Sequence, residues 1–358
     1  MKILVTGVAG FIGSNFVYYY LSRHPERTII GIDNLSYAGN LENLSLLSPD
    51  QKSRFLFEKA DITDTARITE IFSKYQVDGV INFAAETHVD RSIHDPQVFL
   101  KTNILGTHTL LEAAKNAWHS KEDGWRNGKK FLQVSTDEVY GALGPSGYFT
   151  EITPLDPHSP YSASKASADL VVKAYHDTYG MPVNITRCSN NYGPWQFPEK
   201  LIPLMINNAL LHKSIPVYGD GRQIRDWLYV EDHCRAVDLV YEKGRNGDIY
   251  NVGGNNEQEN IAIIRKILAL LQEMTGDPRI NDTLISYVAD RPGHDRRYAI
   301  DASKIKRDLR WEHKVPFDEG IARTVRWYLD HREWMANVIS GEYTKFYDKN
   351  YKNRQFTK

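Results

Sequence analysis

Short apolar runs alternate with helical patterns over the first half of the chain. Runs at residues 3–6, 28–33, 54–58, 79–84, 130–135 and 183–187 have the length of buried strands. Between them, apolar positions recur at helical spacing after residue 11 and over residues 64–74, 103–117 and 162–179. Strands that alternate with helices in this way predict a parallel sheet covered on both faces, which is a doubly wound Rossmann-type α/β fold.

Beyond about residue 190 this alternation ends. Prolines and glycines become frequent there, and helical patterns remain at residues 261–274 and 317–331. We expect residues 1–190 to form a dinucleotide-binding domain, to which a later segment at about 225–250 returns. Residues 191–358 are expected to form mainly a smaller, interleaved substrate-binding lobe. The polar segment 118–128 is predicted to be a loop.

The composition argues against several classes of function. The 358 residues include 44 Lys and Arg and 45 Asp and Glu, so the net charge of −1 favours neither nucleic acid nor an anionic membrane. No apolar stretch reaches the roughly 18 residues of a membrane span, and the apolar run after Lys2 is too short for a signal peptide. Two cysteines, Cys188 and Cys234, fit a reducing cytoplasm and are expected to be small core residues. No residues have the spacing of a metal site.

Three glycines mark the turn between the first predicted strand and the first helix. Gly7, Gly10 and Gly13 would let backbone N–H groups approach a pyrophosphate at the N-terminus of a helix that opens with Phe11 and Ile12. A glycine turn required only for packing would look the same, so this motif is not decisive alone.

A carboxylate at the next strand end strengthens the prediction of a dinucleotide site. Asp33 follows Gly13 by 20 residues, where an acid can accept hydrogen bonds from the adenosine ribose and repel a 2′-phosphate. NAD is therefore favoured over NADP, although Asp33 could instead cap a turn. The same hypothesis assigns further cofactor contacts to Asn34, Asp61, Ile62, Ala84, Ala85, Thr102 and Ser135.

Tyr161 and Lys165 are four residues apart and share one face of a helix that begins near Pro160. Tyrosine, with an ordinary pKa of about 10, is a poor base at neutral pH, but a nearby ammonium and an oxidised nicotinamide would favour its phenolate. The phenolate could take a hydroxyl proton while hydride leaves the same carbon. Such a pair also arises by chance. Together with the glycines and Ser135, however, it resembles the signature of the extended short-chain dehydrogenase/reductase superfamily.

Asp137 and Glu138 directly follow the fifth predicted strand, at the edge of the sheet where open α/β folds bind ligands. Neighbouring carboxylates can hold different pKa values, so that one serves as an acid and the other as a base. Water elimination requires such a pair. Elsewhere in a chain, two adjacent acids would indicate only a charged turn.

The segment 135–141, Ser-Thr-Asp-Glu-Val-Tyr-Gly, resembles the active-site strand of the dTDP-glucose 4,6-dehydratase family. The resemblance extends along nearly the whole chain, through segments 83–93, 190–194, 197–203, 225–233 and 290–301. It implies dTDP-glucose as the substrate and NAD as a retained cofactor that is regenerated in each cycle. It also implies a homodimer that forms through the helices near residues 103–117 and 162–179.

The resemblance implies roles for single residues as well. Tyr161, tuned by Lys165, takes the proton of the 4-hydroxyl as hydride passes from C4 to NAD, and Thr136 bonds the 4-oxygen. Glu138 then takes the C5 proton and Asp137 protonates the leaving 6-hydroxyl, before hydride returns to C6 and gives a 4-keto-6-deoxy sugar. The residues implied to hold the nucleotide sugar are Thr87, Thr136, Asn190, Glu199, Lys200, Leu201, Pro216, Tyr218, Arg225, Asn260, Arg291 and His294.

Three other functions stay open at this point. A UDP-sugar 4-epimerase shares the fold, the cofactor and the tyrosine–lysine pair, but does not need two acids. A UDP-glucuronate decarboxylase typically has serine at the position of Asp137, because its leaving group is carbon dioxide. A non-catalytic NAD-binding regulator would keep the fold alone, and the presence of all four reactive side chains argues against it.

Overall fold

The computed structural model describes residues 1–290 and 294–339. In this part of the chain the strands are β1 (Lys2–Thr6), β2 (Thr28–Asp33), β3 (Phe55–Lys59), β4 (Gly79–Asn82), β5 (His119–Ser120), β6 (Gly124–Trp125), β7 (Lys130–Thr136), β8 (Val183–Cys188), β9 (Asn190–Tyr192), β10 (Ile215–Tyr218), β11 (Ile224–Tyr229), β12 (Ile249–Val252), β13 (Glu257–Glu259) and β14 (Ile285–Val288).

The α-helices of the same residues are α1 (Phe11–Arg23), α2 (Pro49–Ser53), α3 (Thr65–Tyr75), α4 (Val89–His94), α5 (Pro96–Phe99), α6 (Thr107–Trp118), α7 (Pro160–Tyr179), α8 (Leu201–Leu210), α9 (Val230–Lys243), α10 (Asn260–Thr275), α11 (Ser303–Leu309), α12 (Phe317–Asp330) and α13 (Arg332–Val338). A π-helical segment, Leu100–Gly106, joins α5 to α6 without a break. Short 3₁₀ turns occur at Leu41–Leu44, Asp137–Tyr140 and Asp282–Leu284.

Seven parallel strands form the central sheet, in the order β3-β2-β1-β4-β7-β8-β12. Side chains alternate between its faces. Ile3 and Val5 of β1 pack in one core with α1 and α9, whereas Leu4 packs in a second core with α3, α6 and α7. Both faces of the sheet are therefore covered, which confirms the predicted doubly wound Rossmann-type fold.

A smaller lobe follows β8. It contains the parallel pair β10-β14 and the sheet β9-β11-β13, and a third core forms where α8, α10, α12 and α13 meet these strands. The chain returns to the central sheet between these elements, because α9 packs on α1 and β12 pairs with β8. The two parts interleave, and the lobe stands over the ends of β7 and β8.

The segment 118–128 differs from its prediction as a loop. It contains an antiparallel hairpin in which β5 pairs with β6, and the Trp125 indole N–H donates to the Tyr179 carbonyl at 2.7 Å. The loop prediction is therefore wrong for residues 119–120 and 124–125. Strands of two residues carry too little apolar periodicity to be visible in a sequence. None of the helices within residues 1–290 and 294–339 has the length and apolar character needed to cross a bilayer.

Candidate active site

The glycine turn lies between the ends of β1 and β4, where the strand order of the sheet reverses. Gly7 has a φ of +68°, and a Cβ on it would lie 2.9 Å from the Ala84 nitrogen. A Cβ on Gly13 would lie only 2.1 Å from the Gly7 carbonyl oxygen. Only glycine fits at these two positions of the turn. The turn brings bare backbone to the crevice in which such folds bind a dinucleotide pyrophosphate, so the residues present fit that group.

Asp33 is fixed beside the glycine turn by backbone donors. Its carboxylate accepts the Ala9 N–H at 3.0 Å and the Leu35 N–H at 2.8 Å, and it is 8% exposed. Burial raises the pKa of Asp33, and these two donors oppose that rise. Next to it, the Asn34 amide donates to the Asp61 carboxylate at 3.2 Å. The ends of β2 and β3 are thereby joined at this side of the site.

A first cavity runs from the glycine turn to Tyr161. The predicted cofactor residues in its wall are Gly7, Gly10, Phe11, Ile12, Gly13, Asp33, Asn34, Ile62, Ala84, Ala85, Thr102, Ser135, Tyr161 and Lys165. Asp61 stands behind this wall, against Asn34. Among the described residues, neither the buried Ser135 hydroxyl nor the Gln196 amide oxygen has a hydrogen-bond partner. Both therefore remain able to bond a ligand in this cavity.

Tyr161 and Lys165 occupy the first turns of α7. Pro160 begins this helix, and Ser159 and Ser162 form a reciprocal capping box there, which fixes the position of Tyr161. The Lys165 ammonium donates to the Val134 carbonyl at 2.8 Å. Burial lowers the pKa of Lys165, whereas the Asp169 carboxylate one turn later acts in the opposite direction. Asp169 itself pairs with Arg187 at 2.8 Å.

Burial also raises the pKa of Tyr161 well above its ordinary value, and the charge of Glu138 adds to this effect. A hydrogen bond with Thr136 opposes the rise. The protein alone therefore favours the neutral phenol. The expectation that Lys165 helps to form a phenolate requires the additional positive charge that an oxidised nicotinamide would supply.

The acid pair begins a 3₁₀ turn directly after β7. The Thr136 hydroxyl accepts the Glu138 N–H at 3.3 Å and lies 3.4 Å from Oδ1 of Asp137. Asp137 is 1% exposed, and its Oδ2 has no hydrogen-bond partner within residues 1–290 and 294–339. Burial raises the pKa of Asp137 well above its ordinary value, and the carboxylates of Glu138 and Asp226 raise it further. Asp137 is therefore suited to carry a proton and to donate it.

A second cavity continues from the first on the side of the smaller lobe. The two cavities share the wall residues Glu138, Tyr161, Asn190, Glu199 and Lys200. Other residues predicted to hold the nucleotide sugar line the second cavity, namely Leu201, Pro216, Tyr218, Arg225, Asn260 and His294, whereas Thr87 and Thr136 line the first. Arg291 lies outside the described residues. Glu138 and Tyr161 thus stand where the two cavities meet, and Asp137 lines the first cavity beside them.

The structure adds wall residues that the sequence did not indicate. They include Tyr37, Glu86, Cys188, Gln196 and Phe197 in the first cavity and Leu204, Met205, Gln223 and Trp227 in the second. The Tyr37 hydroxyl lies 3.0 Å from the Thr87 carbonyl and 3.1 Å from a Glu199 oxygen. The Arg91 guanidinium lies 3.6 Å from the centre of the Tyr37 ring and pairs with Glu199 at 2.8 Å. Nothing in the sequence indicated Tyr37 as a site residue, because its loop has no periodic pattern of apolar residues.

Two further expectations concern the cysteines and residues that could bind a metal ion. Cys188 and Cys234 are both free and buried, as predicted. In contrast, side chains that could hold a cation do meet away from both cavities, in a group formed by His24, Asp238 and Glu242. The Arg27 guanidinium already pairs with Glu242, so a positively charged side chain of the protein balances the negative charge of Glu242.

The parallel sheet has a glycine turn where its strand order reverses, and a tyrosine–lysine pair lies near the end of β7. Together these features define a short-chain dehydrogenase/reductase of the extended kind. The paired acids directly after β7 add side chains that could perform acid–base chemistry on a ligand bound there.

Comparison with known proteins narrows this class. A family model described as GDP-mannose 4,6 dehydratase matches residues 4–324. A dTDP-glucose 4,6-dehydratase of Xanthomonas campestris pv. campestris is 54% identical over 344 residues, which are 95% of this chain and 96% of that protein. The chain belongs to the dTDP-glucose 4,6-dehydratase family.

Solved structures agree with this assignment. A dTDP-glucose 4,6-dehydratase from Streptomyces venezuelae, with NAD and TYD bound, is 45% identical with a TM-score of 0.85, and the match covers 94% of this chain and 100% of that one. A UDP-glucose 4-epimerase from Thermotoga maritima shares the fold at a TM-score of 0.80 but only 31% identity, over 92% of this chain and 99% of that one. The epimerase alternative is therefore the more distant likeness.

Proposed function

We propose that this chain uses NAD to convert dTDP-glucose to dTDP-4-keto-6-deoxyglucose and water. The observation that carries the proposal is the position of Asp137. It is a buried acid whose Oδ2 has no hydrogen-bond partner among the described residues. It lines the first cavity next to Glu138 and Tyr161, which line both cavities. An epimerase does not need an acid there, whereas the elimination of water does.

Bound NAD would supply a hydride acceptor for C4 and a hydride donor for C6. The side chains of the site transfer the protons. Tyr161 takes the proton of the 4-hydroxyl, and Thr136 holds the 4-oxygen. The resulting ketone acidifies the C5–H bond, so Glu138 can remove that proton. Asp137, which its surroundings favour in the protonated form, gives its proton to the departing 6-hydroxyl. Glu138 finally returns a proton to C5.

The second cavity is the proposed place of the nucleotide. The buried amide oxygens of Asn260 and Gln223 have no hydrogen-bond partners among the described residues, so they can accept bonds from a base or a ribose. Arg225 is held against the Tyr298 ring, 4.1 Å from its centre, and donates to the Asp295 carbonyl at 2.9 Å. A guanidinium anchored in this way is suited to bind phosphate oxygens. Glu199 is paired with Arg91, so we assign it to the wall of the site.

A single assay tests this proposal. The protein is incubated with NAD and dTDP-glucose, and the alkali-induced absorbance of a 4-keto sugar is followed. We expect the absorbance to develop with the native chain and not with Asp137→Asn. UDP-glucose and UDP-glucuronate serve as parallel substrates. Formation of UDP-galactose or loss of carbon dioxide, without a 4-keto product from dTDP-glucose, would reject the proposed function.

The proposed assembly is a homodimer. Leu105 in the π-helical segment before α6 and Leu170 on α7 are each 57% exposed, and Leu100 is 46% exposed. Apolar side chains on two long neighbouring helices suit a helix-to-helix interface between copies. We expect sedimentation of a dimer at micromolar concentration and of a monomer after Leu105→Glu with Leu170→Glu. A monomeric native chain would contradict the proposal.

We propose the same division of labour between the two parts as the sequence suggests. Residues 1–190, together with α9 and β12, would bind NAD, and residues 191–358 would mainly hold the nucleotide sugar. The two free cysteines support a cytoplasmic location.

A further inference from the structure

The proposed reaction, on which this inference rests, leaves two side chains in the wrong protonation state. Tyr161 gains a proton when the O4–H bond breaks and the C4 carbonyl forms. Asp137 loses a proton when the C6–O bond breaks and water leaves. Glu138 takes one proton from C5 and gives one back. The hydride removed from C4 returns to C6, so that no net oxidation occurs. Each turnover therefore ends with a surplus proton on Tyr161 and a missing proton on Asp137.

Thr136 lines the first cavity together with Tyr161, and hydrogen bonding between the two side chains opposes the rise in the pKa of Tyr161. The Thr136 hydroxyl also lies 3.4 Å from Oδ1 of Asp137. A hydroxyl group can accept one hydrogen bond while it donates another. At the end of a turnover the protonated phenol can donate to Thr136, and Thr136 can donate to the ionised carboxylate. The Glu138 N–H, 3.3 Å from the same hydroxyl oxygen, holds that oxygen at the start of the 3₁₀ turn. Catalytic hydrogen bonds of this length often shorten when a ligand binds.

Bulk water has little access to Thr136 and Asp137, whereas Tyr161 is half-buried in the wall of the two cavities. Thr136 is 8% exposed and Asp137 is 1% exposed. A proton that moves through Thr136 avoids this obstacle, because it never leaves the site. Burial and the carboxylates of Glu138 and Asp226 raise the pKa of Asp137, which favours its protonated form. Because burial raises the pKa of Tyr161 as well, the transfer also depends on the positive charge that an oxidised nicotinamide would supply beside the phenolate.

We propose that the Thr136 hydroxyl relays the surplus proton from Tyr161 to Asp137 at the end of each turnover. The Tyr161 O–H bond breaks as a bond from that proton to the Thr136 oxygen forms. At the same time the original Thr136 O–H bond breaks, and its proton binds to Oδ1 of Asp137. The step moves no electrons between groups and consumes no further reactant. Thr136 thus restores the protonated form of Asp137 and the phenolate of Tyr161, in addition to holding the 4-oxygen.

The test compares the first turnover with the later ones. Thr136→Val removes the hydroxyl at nearly constant volume, and Thr136→Ser keeps the hydroxyl. Each holoenzyme is mixed rapidly with excess dTDP-glucose, and the 4-keto product is measured after quenching. For Thr136→Val we expect a burst of about one product per active site, followed by a steady rate about 100-fold or more below that of the native enzyme. Thr136→Ser, which keeps the hydroxyl, should show no burst, and its steady rate should lie well above that of Thr136→Val.

Other outcomes separate the relay from the proposed function. If Thr136→Val slows the first turnover as much as the steady state and gives no burst, Thr136 only positions the 4-oxygen and the relay is wrong. A native enzyme that forms no 4-keto product would instead reject the proposed function. Circular dichroism and thermal melting check the fold of each variant. If Thr136→Val does not fold, Thr136→Ala is the second hydroxyl-free variant, and the same comparison with Thr136→Ser decides.

Discussion

Two buried aspartates stand at the same edge of the central sheet, and the protein holds them differently. Asp33, at the end of β2, accepts a backbone N–H with each of its oxygens. Asp137, directly after β7, has Oδ2 without a partner among the described residues. Burial raises the pKa of both carboxyls, but only Asp33 has backbone donors that stabilise its charged form. The comparison teaches that the surrounding donors, and not burial alone, separate a binding carboxylate from an acid.

The strongest test of this difference is Asp137→Asn. Asparagine keeps the shape of the side chain but has no acidic proton for the leaving 6-hydroxyl. We expect elimination to slow by about 10³-fold, while the oxidation at C4 falls by less than about tenfold. The reduced cofactor should therefore accumulate after mixing with dTDP-glucose, and its absorbance should persist. If both steps fall equally, the separation of roles between Asp137 and Tyr161 is wrong.

The matched change on the binding side is Asp33→Ala. It removes hydrogen-bond acceptors and a charge near the adenosine ribose, so we expect the Kd for NAD to rise by about 10- to 100-fold. NADP, which the native carboxylate repels, should lose less affinity than NAD. Calorimetric titration of both cofactors measures the two changes. Excess NAD should restore most of the turnover rate, in contrast to Asp137→Asn. An unchanged Kd for NAD would remove Asp33 from the cofactor site.

A smaller effect on stability and NAD binding is expected from a substitution in the glycine turn, which carries the Ala9 N–H that Asp33 accepts. A Cβ at Gly13 would lie 2.1 Å from the Gly7 carbonyl oxygen, so Gly13→Ala must displace the turn that carries Ala9. We expect a loss of about 1–3 kcal/mol in the free energy of unfolding, with weaker NAD binding. Gly144→Ala is the control, because a Cβ at Gly144 meets no atom within 4 Å. Denaturant unfolding of the two variants checks this contrast, and equal stability would contradict it.

The two aspartates also show what a sequence can reveal. Asp33 and the glycines were predictable because their signals are local: a strand, a turn and a fixed spacing along the chain. The same holds for the Rossmann-type sheet, whose strands and helices have clear apolar periods. For Asp137 the sequence placed the residue at the sheet edge, but it could not show which oxygen is free. Nor could it show that Arg225 and Asp226, whose charges act on the pKa of Asp137, lie near it, because they are on β11, far along the chain.

Contacts between distant loops were beyond prediction for the same reason. Tyr37 and Glu199 are separated by 162 positions, and neither loop has a periodic pattern that would indicate their contact. The β5-β6 hairpin was missed because its strands are too short and polar for such a pattern. Long-range packing, which no local spacing encodes, decides these features.

The smallest expected effect concerns the electrostatic surroundings of Asp137. Asp226 on β11 accepts the Gly254 N–H at 2.9 Å and the Asn256 N–H at 2.6 Å, and its charge is one of the causes that raise the pKa of Asp137. Asp226→Asn removes this charge and should lower the pKa of Asp137. An acid donates only while it is protonated, so activity that falls as pH rises through this pKa should begin to fall at a lower pH in the variant.

The pH dependence of kcat, measured for native enzyme and Asp226→Asn, tests this sign. The control is Asp238→Asn, a buried aspartate on α9 that contacts His24 at 2.9 Å and is absent from the causes that shift Asp137. It should leave the basic limb of the profile in place. A limb that stays fixed or moves to higher pH in Asp226→Asn, in a variant with native thermal stability, would show that Asp226 does not tune the acid. Asp137 would then owe its protonation to burial and to Glu138 alone.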